Sequence, residues 1–309
     1  MNAAPHASRI VIDACPLCGA TKWSLHCGAA SRSRGGEGTS GRPLDGEDSS
    51  EAEWVRCQCG LVFKHREAID AVDAHGDGDA AHAGHYDSRY FGRYARRRRR
   101  RVRKARRQIL DALEFAPQGR LLDVGCSLGY TMEAARSLGL EACGVDVSAV
   151  AVEECRRRGL EARAGTLEQL PCEDGSIAVA VLKHVFEHTP APRAALGELR
   201  RVLIKDGAVF LAVPNLGYFK AARSPQTSRF FRGEAGRAHF VYYTPATLAR
   251  LLESEGFVVC SVHPLLRHRR AGPLRRLLEA AQAPLRAPFR ALVDVLGLRK
   301  EFWLVAVRM

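Results

Sequence analysis

The chain has 309 residues, 46% hydrophobic and 26% charged, which allows one α/β domain of ordinary size and an appendage. No apolar run approaches the roughly 18 residues of a membrane span, and the start lacks the basic-then-apolar pattern of a signal peptide, so a cytoplasmic location with reduced thiols is expected. The net charge of +13 is local: Arg93 to Arg107 holds eleven Arg or Lys and no acid, a second basic stretch runs from Arg267 to Lys300, and the remainder is mildly acidic.

Residues 1–66 are expected to form a small cysteine module with a Gly/Ser/acid insert over 29–53, too poor in apolar residues to fold. Cys15-Pro16-Leu17-Cys18-Gly19 has the form of a zinc knuckle, and Cys57-Gln58-Cys59-Gly60 supplies a second pair with a one-residue gap. Four thiolates satisfy tetrahedral zinc and leave no open position, which predicts a structural ion on Cys15, Cys18, Cys57 and Cys59. Cys27 or His26 is an alternate for one ligand, and free thiols are the other reading.

Residues 67–114 read as a linker and a basic helix. His75, His82 and His85 are expected to be solvated, and Asp87 to Glu114 is expected to be helical, with Ile109, Leu110 and Leu113 as its apolar face. A run of like charges this dense suits an anionic partner or a solvated helix face.

From 115 to 309, short apolar runs alternate with amphipathic segments, the pattern of a seven-stranded, mostly parallel Rossmann-like sheet with helices on both faces. Strands are expected at 120–125, 141–147, 161–165, 177–183, 207–213, 257–264 and 302–308, with helices starting near Leu128, Ala149, Pro192 and Pro245. Residues 267–300 read as a basic helical insert, a lid or a peripheral membrane contact.

The first of these strands runs into Gly125-Cys126-Ser127-Leu128-Gly129, a turn that opens a helix, where small residues let a ligand approach and NH groups are free. Ser127 and Tyr130 stand where a dinucleotide fingerprint has glycines, so a pyrophosphate is not required. Asp146, about twenty residues on, is placed to accept both hydroxyls of a ribose.

The segments LLDVGCSLG, GVDVS, LPCEDGSIAVAV, LKHVFEH and ELRRVLIKDGAVFLAVPN, over about residues 120–264, resemble the class I S-adenosylmethionine-dependent methyltransferases, particularly their type 11 and type 23 branches. The resemblance implies that Asp123, Gly125, Cys126, Ser127 and Gly129 hold the methionine part of S-adenosylmethionine, Asp146 with Val147 the ribose, and Thr166 and Leu167 the adenine, with Lys183 at the end of the fourth strand. Type 23 relatives also carry a similar N-terminal zinc ribbon.

Methyl transfer from a sulfonium is an in-line displacement that needs alignment and, for a hydroxyl acceptor, removal of a proton. The acceptor is expected beyond strands four and five, where Lys183, His184, Glu187, His188, Pro214 and Asn215 lie. His188 suits a general base or a structural cap, and His239 resembles a histidine that precedes the last helix in type 23 relatives. Lys183-His184-Val185-Phe186 departs from the motif used for amino-group methylation of bases, and no cysteine serves carbon-5 methylation of cytosine. The expected acceptor is an anionic small molecule or glycoconjugate such as a sugar or lipid-linked saccharide. RNA is the alternative that the arginine run and zinc module would suit, and a non-catalytic binding module is the third reading.

Overall fold

The computed structural model describes residues 9–27, 53–68, 96–218, 228, 231, 238–263 and 300–309. The expectations for His75, His82, His85, the 267–299 insert and residues 29–52 lie outside these; Glu53, assigned to the unfolded insert, instead opens a strand.

Seven strands form the main sheet: β5 (Leu121–Val124), β6 (Ala142–Asp146), β7 (Glu161–Ala164), β8 (Ile177–Lys183), β9 (Leu203–Pro214), β11 (Phe257–His263) and β12 (Glu301–Arg308). Their spatial order is β11-β12-β9-β8-β5-β6-β7, with β12 antiparallel between β9 and β11 and the five strands from β9 to β7 parallel. Strand order reverses between β5 and β8, which opens a crevice beyond the carboxyl ends of these strands.

Side-chain alternation explains why both faces are covered. Leu121, Val179, Val181 and Phe210 pack on one face with helices α1 (Arg98–Leu113) and α2 (Tyr130–Arg136). Leu122, Ala180, Leu182 and Leu211 pack on the other with α4 (Pro192–Val202) and α5 (Pro245–Ser254). Helix α3 (Ala149–Arg157) closes over Cys126, Met132 and Leu160.

Local signals set the helix ends. Ser148 Oγ accepts from Ala151 N at 3.3 Å, and Gly159 stops α3 with φ +66°. Thr244 and Thr247 form a capping box at α5, where Thr244→Ala should cost about 1 kcal/mol. Thermal unfolding should then shift down by about 2–4 °C; an unchanged midpoint would mean the cap is idle.

Helix α1 spans Arg98–Leu113, with the expectation for 87–95 lying outside the described residues, and its buried face is Ala105, Gln108, Ile109 and Ala112. Leu110, assigned to the apolar face by sequence, is 47% exposed because the docked stripe follows the spacing 105, 109, 112. Its first turn has no acid to oppose the helix dipole. The ion pairs Arg98–Glu133 and Lys104–Glu301 and the burial of Ile109 offset that cost.

The N-terminal strands β1 (Arg9–Val11), β2 (Trp23–Cys27), β3 (Glu53–Cys57) and β4 (Val62–Ala68) make a separate antiparallel sheet. It does not stand alone. The short strand β10 (Val241–Tyr242), just before α5, pairs with β4 in the register Val241↔Phe63 and Tyr242↔Val62. Arg193 of α4 donates to the carbonyls of Pro16 and Leu17, and Arg250 of α5 to that of Cys59.

Candidate active site

Beyond β5 the backbone turns through Gly125 at φ +66°, where a Cβ would collide with Val185 Cγ2. Gly144 of β6 lets the turn sit close, since a Cβ there would lie 2.8 Å from that of Cys126. The NH groups of Gly125 and Cys126 both donate to Val145 O, at 2.7 and 3.1 Å, and that of Gly129 to Cys126 O at 2.8 Å. The turn's NH groups at these positions are therefore engaged internally, contrary to the expectation of free donors.

The carboxylate of Asp146 binds the turn to the start of α3. Its Oδ2 accepts from Ser127 N at 2.7 Å and its Oδ1 from Ser148 N at 3.0 Å. Ser127 itself lies at φ +47°, uncommon for a residue with a side chain, and its Oγ is buried with no partner in the protein. A buried hydroxyl without a partner beside an acid and a glycine cradle is what a polar ligand would complete. Cys126 turns its side chain into the core under α3, so only its backbone faces the turn. Val147 is exposed next to Asp146, and Thr166 and Leu167 follow β7, Leu167 buried and Thr166 partly so.

Asp123, at the end of β5, is buried, and burial pushes its carboxyl up to about 7 despite the Lys183 ammonium and the Thr131 hydroxyl beside it. Lys183 Nζ donates to Thr131 Oγ1 at 2.5 Å, tying the end of β8 to the first turn of α2.

The loop after β8 makes a second cluster. His184, at φ +56°, lies between Glu187 Oε1 at 3.3 Å and Glu301 Oε2 at 3.1 Å. Burial lowers its affinity for a proton, but these two carboxylates raise the imidazole to about 9. A single 3₁₀ turn, Phe186–His188, then presents Glu187 and His188. Glu187 is 0% exposed, its carbonyl accepts from Phe240 N at 2.8 Å, and its Oε2 has no partner in the protein. The ring of His239 stands 4.6 Å from that of His188, nearly perpendicular, with its Nδ1 2.9 Å from Tyr242 Oη. Burial pushes the His239 imidazole down to about 3, so it is neutral. His188 Nδ1 donates to Ala238 O at 2.9 Å, since a carbonyl can only accept.

Residues 94–262 match the Methyltransf_23 family model, whose description is "Methyltransferase domain". The chain belongs to this methyltransferase family. It is 34% identical over 176 residues to a 37.1 kDa protein of transposon TN4556 from Streptomyces fradiae, a match covering 51% of this chain and 48% of that one. It is 29% identical over 141 residues to a probable S-adenosylmethionine-dependent methyltransferase of Mycolicibacterium smegmatis, covering 45% of this chain and 52% of that one. The matches thus span about half the length of these curated relatives. A crystal structure of a SAM-dependent methyltransferase from Archaeoglobus fulgidus superposes with a TM-score of 0.50 at 17% identity, over 72% of this chain and 100% of that one, and shares the fold.

In the methyltransferase domain, the sequence-derived residues Asp123, Gly125, Ser127, Gly129, Asp146 and Lys183 come together at the carboxyl ends of β5, β6 and β8. His188 and His239, 51 positions apart in the chain, come together because β10 runs past the 3₁₀ turn. Thr131, Val185 and Tyr242 were not legible as site residues. Glu187 stands among the residues expected near the acceptor, and the adjacent acid and histidine in Phe186-Glu187-His188 are the signal for it.

The four cysteine sulfurs lie within 4.8 Å of one another, with Cys15 Sγ 3.6 Å from Cys59 Sγ and Cys18 Sγ 3.4 Å from Cys57 Sγ. Sulfurs held about 2.3 Å from one tetrahedral ion stand about 3.8 Å apart, so the donor set fits zinc. Glycines at φ +73° (Gly19) and +93° (Gly60) turn each knuckle, with Gly19 N on Cys15 O and Gly60 N on Cys57 O. The one-residue gap between Cys57 and Cys59 is no obstacle. His26 instead takes a hydrogen bond from Arg56.

Proposed function

We propose that the protein binds S-adenosylmethionine at the Gly125 turn and transfers its methyl group to an anionic small-molecule or glycoconjugate acceptor. The observation that carries this reading is the Asp146 carboxylate braced against the turn beside the partnerless Ser127 hydroxyl. Asp123, Cys126 and Gly129 complete the methionine end, Val147, Thr166 and Leu167 flank the nucleoside, and Lys183 closes the floor. At the acceptor end the reading assigns His188 and His239 to the reacting atom. With a hydroxyl acceptor, its oxygen would attack the methyl carbon and its proton would leave to water, the C–S bond would break with its electron pair left on sulfur, and S-adenosylhomocysteine would leave.

The same proposal gives residues 1–66 to a module stapled by structural zinc on Cys15, Cys18, Cys57 and Cys59, residues 67–114 to a linker and basic helix, and 115–309 to the catalytic domain. Four reduced thiolates suit a cytoplasmic setting. Among the described residues no helix is long and apolar enough to cross a membrane.

The test is to incubate the protein with methyl-labelled S-adenosylmethionine and fractionated cell extract. Label in a small-molecule or saccharide fraction supports the reading; a protein that binds the donor and labels nothing would favour the non-catalytic alternative. An RNA acceptor is a second reading, favoured by the exposed arginines at 96–100, 103, 106 and 107 along α1. Label in RNA, with binding that weakens steeply as salt rises, would select it.

Donor affinity should also depend on pH through Asp123. The donor's ammonium and sulfonium favour the ionised carboxylate, whereas burial holds it near 7 in the empty protein. Affinity should therefore rise about tenfold between about pH 6 and pH 8, with proton release on binding visible by calorimetry in buffers of different ionisation enthalpy. Because the folded value lies above the unfolded one, the unfolded chain ionises first, and this group's contribution to the stability of the empty fold falls as pH rises through the same carboxyl's range. A flat affinity profile would remove Asp123 from the donor site.

A further inference from the structure

We propose that Glu187, His188 and His239 form a second metal site, distinct from the four cysteines, that holds a divalent transition ion at the acceptor end. One ligand atom from each of the three side chains lies within 4.8 Å of the others, with His239 Nε2 4.0 Å from Glu187 Oε1. They come from two elements, the 3₁₀ turn after β8 and the residues before β10, which are held together by the bond from Phe240 N to Glu187 O.

Three features point to an ion rather than to packing. A carboxylate oxygen that is wholly buried and lacks a donor is costly, and Glu187 Oε2 is such an atom. His184 engages only Oε1, and it is shared with Glu301. Each histidine has its Nδ1 held by an outer group, His188 by the Ala238 carbonyl and His239 by the Tyr242 hydroxyl. That arrangement fixes each ring, as outer-shell partners do at metal-binding histidines, and turns His239 Nε2 toward Glu187. Two imidazoles and a carboxylate are a donor set for Zn²⁺, Fe²⁺, Co²⁺ or Mn²⁺, and they leave coordination positions open.

The ion site stands on this geometry by itself; the acceptor it implies rests on the methyl-transfer reading. An ion with open positions would take a hydroxyl oxygen of the acceptor, lower its pKa so that its proton leaves to water, and present the alkoxide or phenolate to the methyl carbon. The bond formed is O–CH₃ and the bond broken is S–CH₃, with no change in the metal's oxidation state. The acceptor class is therefore a hydroxyl compound with a second oxygen able to chelate, such as a vicinal diol or a hydroxy acid.

The full chain, loaded first with zinc to fill the cysteines, is titrated with Co²⁺ and followed by calorimetry and visible absorption, alongside S-adenosylmethionine titrations of the same samples. We expect one Co²⁺ per chain without sulfur-to-cobalt charge transfer. Glu187→Gln, which keeps shape and removes charge, should weaken it by more than the roughly 10- to 100-fold that losing an outer-shell partner costs, and Tyr242→Phe should weaken it by about that amount. No Co²⁺ bound beyond the cysteine site, or binding unchanged in both variants, overturns the proposal. Donor binding without cobalt binding would leave the methyltransferase reading intact and sink the ion; cobalt binding without donor binding would do the reverse.

Discussion

Replacing Asp146 by alanine is expected to weaken S-adenosylmethionine binding by about a hundredfold or more. Two hydrogen bonds from ribose hydroxyls to an ionised acceptor are worth about 1.5–3 kcal/mol each, and about 2.7 kcal/mol already corresponds to a hundredfold. The same substitution leaves Ser127 N and Ser148 N without the acceptor they share, so the turn itself loosens. Asp146→Asn separates the two effects, since an amide oxygen still accepts one of these bonds while the charge is gone. Calorimetry should rank the proteins wild type, Asn, Ala in falling affinity. An alanine variant that binds the donor as tightly as wild type would remove the nucleoside site, and with it the reading of the whole crevice.

The second large effect is expected at the cysteines. Structural zinc supplies about 10–16 kcal/mol of apparent binding energy in small metal-stapled modules. Leu61, Val62 and Phe63 are fully buried directly after the Cys57–Cys59 knuckle. Cys57→Ser, or prolonged chelation, should therefore cost at least about 3 kcal/mol and lower the unfolding midpoint by about 6–12 °C. Cys260→Ser, away from the cluster, should do neither and should not change the zinc content.

The consequences should extend beyond the module, because β4 carries β10 and β10 positions the segment with His239 and Tyr242. Turnover should fall in Cys57→Ser while donor affinity holds, since the bonds of Asp146 and Gly125 run to β6 and α3 and not to the module. Equal loss of both would mean that the cysteine module stabilises the chain as a whole and has no particular tie to the acceptor end.

The way the two parts interlock also explains the placement of charged groups. Arg193 on α4 reaches the carbonyls of the first knuckle, and Arg250 on α5 reaches that of Cys59. Each guanidinium satisfies carbonyls that a knuckle turn leaves without a β-ladder partner. The cysteine module thus has a wall of the larger domain to lie against.

Much of this molecule is written in its local sequence. Short apolar runs marked all seven strands of the main sheet to within a few residues, Ser148, Pro192 and Pro245 marked helix starts, and Gly159 and Gly256 marked stops, because these signals act through backbone geometry a few residues wide. The Gly125 turn was legible for the same reason: glycine at positive φ and an acid one strand away are fixed by the βαβ connection. The exposure of Leu110 was not, since which stripe of a basic helix docks is decided by the sheet it meets.

Tertiary structure alone decided the rest. Nothing near His188 in the chain announces His239, and nothing near Val62 announces Tyr242; a strand two residues long has no periodicity to read, and its existence depends on β4 offering an edge to pair with. The partnerless oxygen of Glu187 is likewise a property of what surrounds it. Local sequence carried the sheet, the Gly125 turn and Asp146, which backbone geometry fixes, while the cluster of Glu187, His188 and His239 came only from the packing of distant segments around a buried charge.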